Sequence, residues 1–217
     1  AQSARRAGYV PLVADCFGDE DTQAAAAASR CVPAMAGSGL LARPLMAALD
    51  ERAAVVFVHP SSLPAPAVPG IAPFVADFLL DTTRAAINLA RVGTFERYPR
   101  LKIILSHAGG FVPFAAERMA RACSDSGEDT AQGIERLRRF YFDLALSSSP
   151  YALPSVLALA DPARITFGSD WPFAPKERSW HFARLLDRFE LTPAQRHAID
   201  RGNAERLYQV PAIRRAV

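Results

Sequence analysis

A chain of 217 residues is long enough to bury a full core and is expected to form one domain. Hydrophobic residues make up 50% and charged ones 22%, a balance that excludes a disordered chain. The formal charge of +3 comes from Lys and Arg dispersed along predicted helices, so a solvated surface is expected and a nucleic-acid partner is not.

No apolar run approaches the roughly 20 residues of a membrane-crossing helix, and the first stretch, AQSARRAGYV, lacks the apolar centre of a signal peptide. A cytoplasmic protein with no membrane partner is the expectation. Cys16, Cys31 and Cys123 are odd in number and show no C-x-x-C spacing, which implies reduced thiols and no cysteine metal site.

In chain order, Tyr9 to Val13 is a short strand candidate that Pro11 weakens. The Ala-rich stretch from Asp15 to Gly39 predicts a short helix over 22–29 and then a loop. Leu41, Leu45 and Leu49 recur at helical spacing, giving an amphipathic helix over 42–52 that leads into a strand over 53–58. The prolines and glycine of SSLPAPAVPG after His59 forbid a regular element, so a surface loop follows that strand. Phe74, Phe78, Thr82, Ala85 and Leu89 mark one face of a long helix over 71–92 that ends near Gly93.

The stretch LKIILSHAGG, 101–110, has the pattern of a buried parallel strand that delivers a polar side chain and turns. Helices are predicted over 112–123 and around 135–139, a strand over 139–145, and a helix over 153–160 with Pro154 near its start. The last strand is expected over 164–168, followed by helices over 180–189, 193–201 and 203–208. Four strands thus alternate with helices from residue 42 onward, which calls for a parallel sheet with crossover helices. A doubly wound sheet fits that alternation as well as a barrel does. The polar residues His59, His107 and Asp170 that close three strands favour the barrel, because a barrel gathers its strand ends around one site.

Imidazole and carboxylate are ligands for Zn²⁺ or Mn²⁺, and His59 with Asp170 supplies one of each. His107 serves either as a further ligand or as the acid/base beside the metal. Each histidine alone is ordinarily a core or loop residue bonded to backbone; three such residues at three strand ends outweigh that alternative. His181 and His197 fall within amphipathic helices and are expected on the surface. Asp143 either points into the site or caps a neighbouring loop, and Gly109-Gly110 is expected to be a simple turn.

VVFVHP (55–60), ADFLLDTTRAAINL (76–89), ERYPRLKIILSHAGG (96–110), FGSDWPF (167–173) and GNAERLY (202–208), in this order, resemble the amidohydrolase superfamily. Within it they are similar to the branch of aminocarboxymuconate-semialdehyde, γ-resorcylate and 6-methylsalicylate decarboxylases. The resemblance implies an α/β fold, a (β/α)₈ TIM barrel of metal-dependent hydrolase type, with His59, His107 and Asp170 ending its fifth, sixth and eighth strands. It further implies that His59 and Asp170 hold one divalent ion, Zn²⁺ or Mn²⁺, and that His107 is the acid/base, with Asp170 the proton acceptor if the chemistry is hydrolytic. Arg118, eleven residues past His107, stands where a relative's arginine reaches the substrate carboxylate of a neighbouring subunit; a surface helix arginine is the alternative. Phe111, Trp171 and Phe173 would wall the pocket.

The family also supplies two metal ligands from a His-x-His motif on its first strand, and these 217 residues contain none. Residues 1–40 match poorly, so residues 41–217 are expected to be the C-terminal part of a barrel whose first strands are missing. The function implied is metal-dependent, non-oxidative decarboxylation of a small aromatic or muconate-like carboxylate. Alternatives are hydrolysis of a lactone or amide on the same fold, and a non-catalytic remnant. Unpaired edge strands and the cross-subunit arginine lead to the expectation of a homodimer.

Overall fold

The computed structural model describes residues 12–15, 28–31 and 39–209 other than 62, 64, 65, 67 and 128, with side chains from residue 43 onward. Two compact units divide the chain, Ala1–Ala48 and Leu49–Val217. In the first, β1 (Leu12–Asp15) pairs in parallel with β2 (Ala28–Cys31), Leu12 opposite Ala28 and Asp15 opposite Cys31. Ala28 and Ser29, expected at the end of a helix, are therefore in a strand, because ladder partners on β1 override the helical preference of alanine. Residues 9–11 of the expected first strand and 22–27 of the expected helix lie outside the described residues. Helix α1 (Gly39–Glu51) crosses the boundary between the units.

The second unit is built on four parallel strands in the order β3 (Val55–Val58), β4 (Lys102–Leu105), β5 (Tyr141–Asp143) and β6 (Ile165–Thr166). Their helical crossovers are α2 (Asp77–Arg91) with the short α3 (Thr94–Arg97), then α4 (Val112–Cys123) with α5 (Thr130–Arg138), then α6 (Leu153–Leu159). Helices α7 (Lys176–Arg188), α8 (Pro193–His197) and α9 (Asn203–Tyr208) follow. Strand β4 explains its unbroken apolar sequence: it lies between β3 and β5, and Ile103, Ile104 and Leu105 are buried on both of its faces. Phe95, Leu137, Phe140, Phe142 and Ile165 complete the core around it.

The expected helix over 71–92 is broken at Ala76 (φ −141°), with a 3₁₀ turn, Pro73–Val75, before α2. Its buried stripe is Thr82, Thr83, Ala86 and Ala90, while Phe74 is 49% exposed. Small residues face inward because the chain after β4 comes very close: a Cβ on Gly110 (φ +63°) would meet the Leu79 carbonyl oxygen at 2.2 Å. Gly110 is thus more than a turn residue. Thr83 fastens the contact, its hydroxyl donating to the Leu79 carbonyl at 2.7 Å and accepting the Phe111 N–H at 2.8 Å.

Helices α4 and α5 meet as closely, since a Cβ on Gly133 would sit 1.9 Å from the Ala120 carbonyl oxygen. Buried Arg136 locks this pair, donating to the Cys123 carbonyl at 2.8 Å and to Glu96 and Asp125 at 2.9 and 2.7 Å. The strand expected over 139–145 is shorter, and the helix expected over 193–201 widens after His197 into a π turn, Ala198–Gly202. Asn203, fully covered, donates from Nδ2 to the carbonyls of Pro162 and Ile165, which anchors the start of β6 and accounts for the GN pair in GNAERLY.

Candidate active site

Parallel register brings the strand ends together. Val58 lies opposite Leu105, and the Ser106 N–H continues the ladder to the Val58 carbonyl, so His59 and His107 leave adjacent strands within one residue of the same level. Their rings are 5.5 Å apart between centroids and inclined by 63°. Asp170, beyond β6, completes the group: one ligand-capable atom from each of His59, His107 and Asp170 lies within 4.8 Å of the others. Three residues widely separated in sequence therefore converge on one point, with His107 buried and His59 at the solvent edge.

Two of the three sit in left-handed backbone conformations, His107 at φ +51° and Asp170 at φ +59°, and Ala108 follows His107 at φ +56°. Such residues cost about 1 kcal/mol or more each and persist only where surrounding bonds hold them. For Asp170 the turn is closed by the Ala174 N–H donating to its carbonyl at 2.8 Å. For His107 it is the buried Asp143 carboxylate, whose Oδ1 accepts the main-chain N–H of His107 at 2.9 Å and of Ala145 at 3.0 Å. Of the two alternatives left open for Asp143, the structure supports both: it caps the loop after β5 and sits beside the site.

Burial and neighbouring charges shift two groups at this point. Desolvation, then the neighbouring His107, lower the pKa of His59 from its usual 6.5, against opposing effects of the Pro60 carbonyl and Asp170. Its Nδ1 lies 3.0 Å from that carbonyl oxygen, which only accepts, so Nδ1 carries the hydrogen and Nε2 keeps its lone pair. Burial raises Asp143 to about 6, against the Ala145 N–H, the charge of His107 and its N–H. A neutral imidazole and a carboxylate with space between them suit a divalent ion with open positions.

The other candidates are placed differently. Phe111 is half-buried at the start of α4, and Arg118 lies on the exposed side of that helix. Trp171 and Phe173 are 60% and 87% exposed, in solvent beside Asp170. His181 and His197 are on the surface, as expected. Sequence reasoning missed Phe78, whose ring meets His59 edge-on at 6.4 Å; its helical spacing pointed to a core face and carried no sign of the site.

The Amidohydrolase family model matches residues 7–210. The 6-methylsalicylic acid decarboxylase of Penicillium expansum is 36% identical over 180 residues, 76% of this chain and 53% of that protein. The chain therefore spans about half the length of the curated relatives it matches. A crystal structure described as an amidohydrolase II superposes with a TM-score of 0.73 at 29% identity, over 96% of this chain and 64% of the other. The dihydroxybenzoic acid decarboxylase of Polaromonas sp., solved with manganese and 2-nitroresorcinol, superposes with a TM-score of 0.68 at 21% identity, over 96% and 63% of the two chains. The four-stranded parallel sheet with its crossover helices is a section of the (β/α)₈ barrel type that the motifs led us to expect. The chain belongs to the amidohydrolase family.

Proposed function

We propose that this chain takes part in metal-dependent, non-oxidative decarboxylation of a small aromatic carboxylate. The observation that carries this is the convergence of His59, His107 and Asp170 within 4.8 Å at the strand ends. Support comes from the 36% identity to a 6-methylsalicylic acid decarboxylase and from the manganese in the dihydroxybenzoic acid decarboxylase. His59 through Nε2 and Asp170 through a carboxylate oxygen are the residues that would hold the ion. Manganese is the first choice on that support, with zinc the alternative for the same ligands. The ion, when bound, supplies positive charge against the substrate's carboxylate and a neighbouring oxygen.

His107 does the proton work. As an imidazolium it delivers its Nε2 proton to the ring carbon bearing the carboxylate; the C–C bond then breaks, CO₂ leaves, and the bonding pair restores the ring. Phe78 and Phe111 give the substrate ring apolar surface, and Trp171 and Phe173 close over it from the loop after Asp170. Arg118, exposed on α4, reaches the substrate carboxylate of a partner subunit in a homodimer. A cytoplasmic location belongs to the same proposal, resting on the odd, unspaced cysteines.

The test is carbon dioxide release from a salicylate-type acid by the chain supplied with manganese or zinc. Release without ring opening, abolished by chelation, is expected. Hydrolysis of a lactone with no CO₂ from any aromatic acid contradicts it. A second reading, a non-catalytic barrel segment, is favoured by the ligand count: His59 and Asp170 are two where a catalytic site takes about three. A chain that binds no metal and gains no stability from it would establish that reading.

A further inference from the structure

We propose that Asp143 is a positioning residue that fixes the tautomer of His107. This rests on the assignment of His107 as the acid/base. Oδ1 of Asp143 accepts two main-chain N–H groups, from His107 at 2.9 Å and from Ala145 at 3.0 Å. The first bond holds His107 in its left-handed conformation. The second holds Ala145 at its N–H; the carbonyl oxygen of the same residue, in the next peptide, lies 3.2 Å from Nδ1 of the His107 ring and also accepts the Ser147 hydroxyl at 3.1 Å.

A carbonyl can only accept, so Nδ1 must carry a hydrogen in this arrangement and Nε2 is the nitrogen that gains and loses a proton. One carboxylate oxygen thus sets both the backbone of His107 and the acceptor that orients its ring. Asp143 and His107 are 7% and 8% exposed, so water does not compete freely for these bonds. The second oxygen, Oδ2, faces the chain after β6: a Cβ at Gly168 would come within 2.7 Å of it. Residue 168 must then be glycine for the carboxylate to keep this place, which links the β5 and β6 ends through Asp143.

The experiment is ¹⁵N spectroscopy of the histidine rings in the full chain, with exposed His181 and His197 as internal references, on wild type, Asp143→Ala, Asp143→Asn and Gly168→Ala. At alkaline pH, where the ring is neutral, wild type is expected to show His107 as a single tautomer with the hydrogen on Nδ1. Asp143→Asn keeps an accepting oxygen and is expected to retain that signature. Asp143→Ala removes the acceptor and Gly168→Ala pushes it aside; in both, the two ring nitrogen shifts converge, and kcat falls about 10- to 100-fold with little change in KM. If Asp143→Ala does not fold, Gly168→Ala carries the same comparison. A wild-type His107 with the hydrogen on Nε2, or an unchanged tautomer in the folded Asp143→Ala or Gly168→Ala chain, overturns the proposal. Loss of the tautomer with no loss of activity leaves the positioning intact and removes His107 from the chemistry instead.

Discussion

His59 illustrates how its surroundings bias one side chain of the proposed cation site towards its neutral form. Its Nδ1 hydrogen is committed to the Pro60 carbonyl, and partial desolvation with a neighbouring imidazole disfavours its charged form. Because its folded pKa lies below 6.5, the unfolded chain takes up the proton first as pH falls. The stability His59 contributes above pH 6.5 is lost as pH drops through the lower folded value. Metal uptake follows the same direction: calorimetric titration should show manganese binding undiminished at pH 7 and weakening progressively below pH 6.5, whereas stronger binding in acid would refute the ligand role. For His107, replacement by Asn is expected to lower the decarboxylation rate by about 10²- to 10⁴-fold while leaving metal content unchanged, measured by CO₂ release and elemental analysis on the same sample. Metal lost together with activity would make His107 a ligand.

At the scale of elements, close backbone approach is what holds the strand ends in place. The α4–α5 crossing depends on Gly133, where an added Cβ at 1.9 Å from the Ala120 carbonyl requires the helices to separate. Gly133→Ala should destabilise by about 1–3 kcal/mol or more, read as a lower thermal midpoint; an unchanged midpoint would mean the helices are not in contact there. Arg136→Met tests the same pair differently. Glu96 and Asp125 are exposed enough to be rehydrated, so the loss comes chiefly from the Cys123 carbonyl left without its donor, about 1–3 kcal/mol in denaturant unfolding. A loss below about 0.5 kcal/mol would show that the bonds of Arg136 contribute little to stability.

These contacts also show which parts of the molecule its sequence disclosed. Strand β4 was legible because burial on both faces writes an apolar run, and the convergence of His59, His107 and Asp170 was legible because a metal-capable residue follows three of the apolar runs. The face of α2 was legible only in part: Thr82 of the expected stripe is buried, but Phe74 is exposed and the stripe turns to Thr83, Ala86 and Ala90, chosen by the nearness of Gly110, a contact between residues far apart in the chain. Asp143 was ambiguous for the same reason. Its partners are main-chain groups of another strand end, and a backbone N–H leaves no mark in a sequence.

For the whole molecule, the consequence of this architecture is an open sheet within the second unit, with β3 and β6 at its edges and Phe57 48% exposed on β3. The exposed rings of Phe57, Trp171 and Phe173 favour association, so light scattering should give twice the mass of one chain, and a well-behaved monomer would count against the homodimer. No described helix is long and apolar enough to cross a membrane. The proposed chemistry depends on the convergence of His59, His107 and Asp170 as a cation site. Elemental analysis after manganese loading tests it most directly: one ion per chain in wild type, lost in both His59→Ala and Asp170→Asn, is the predicted result. A wild-type chain free of metal, or a full complement of manganese in either folded variant, would contradict it.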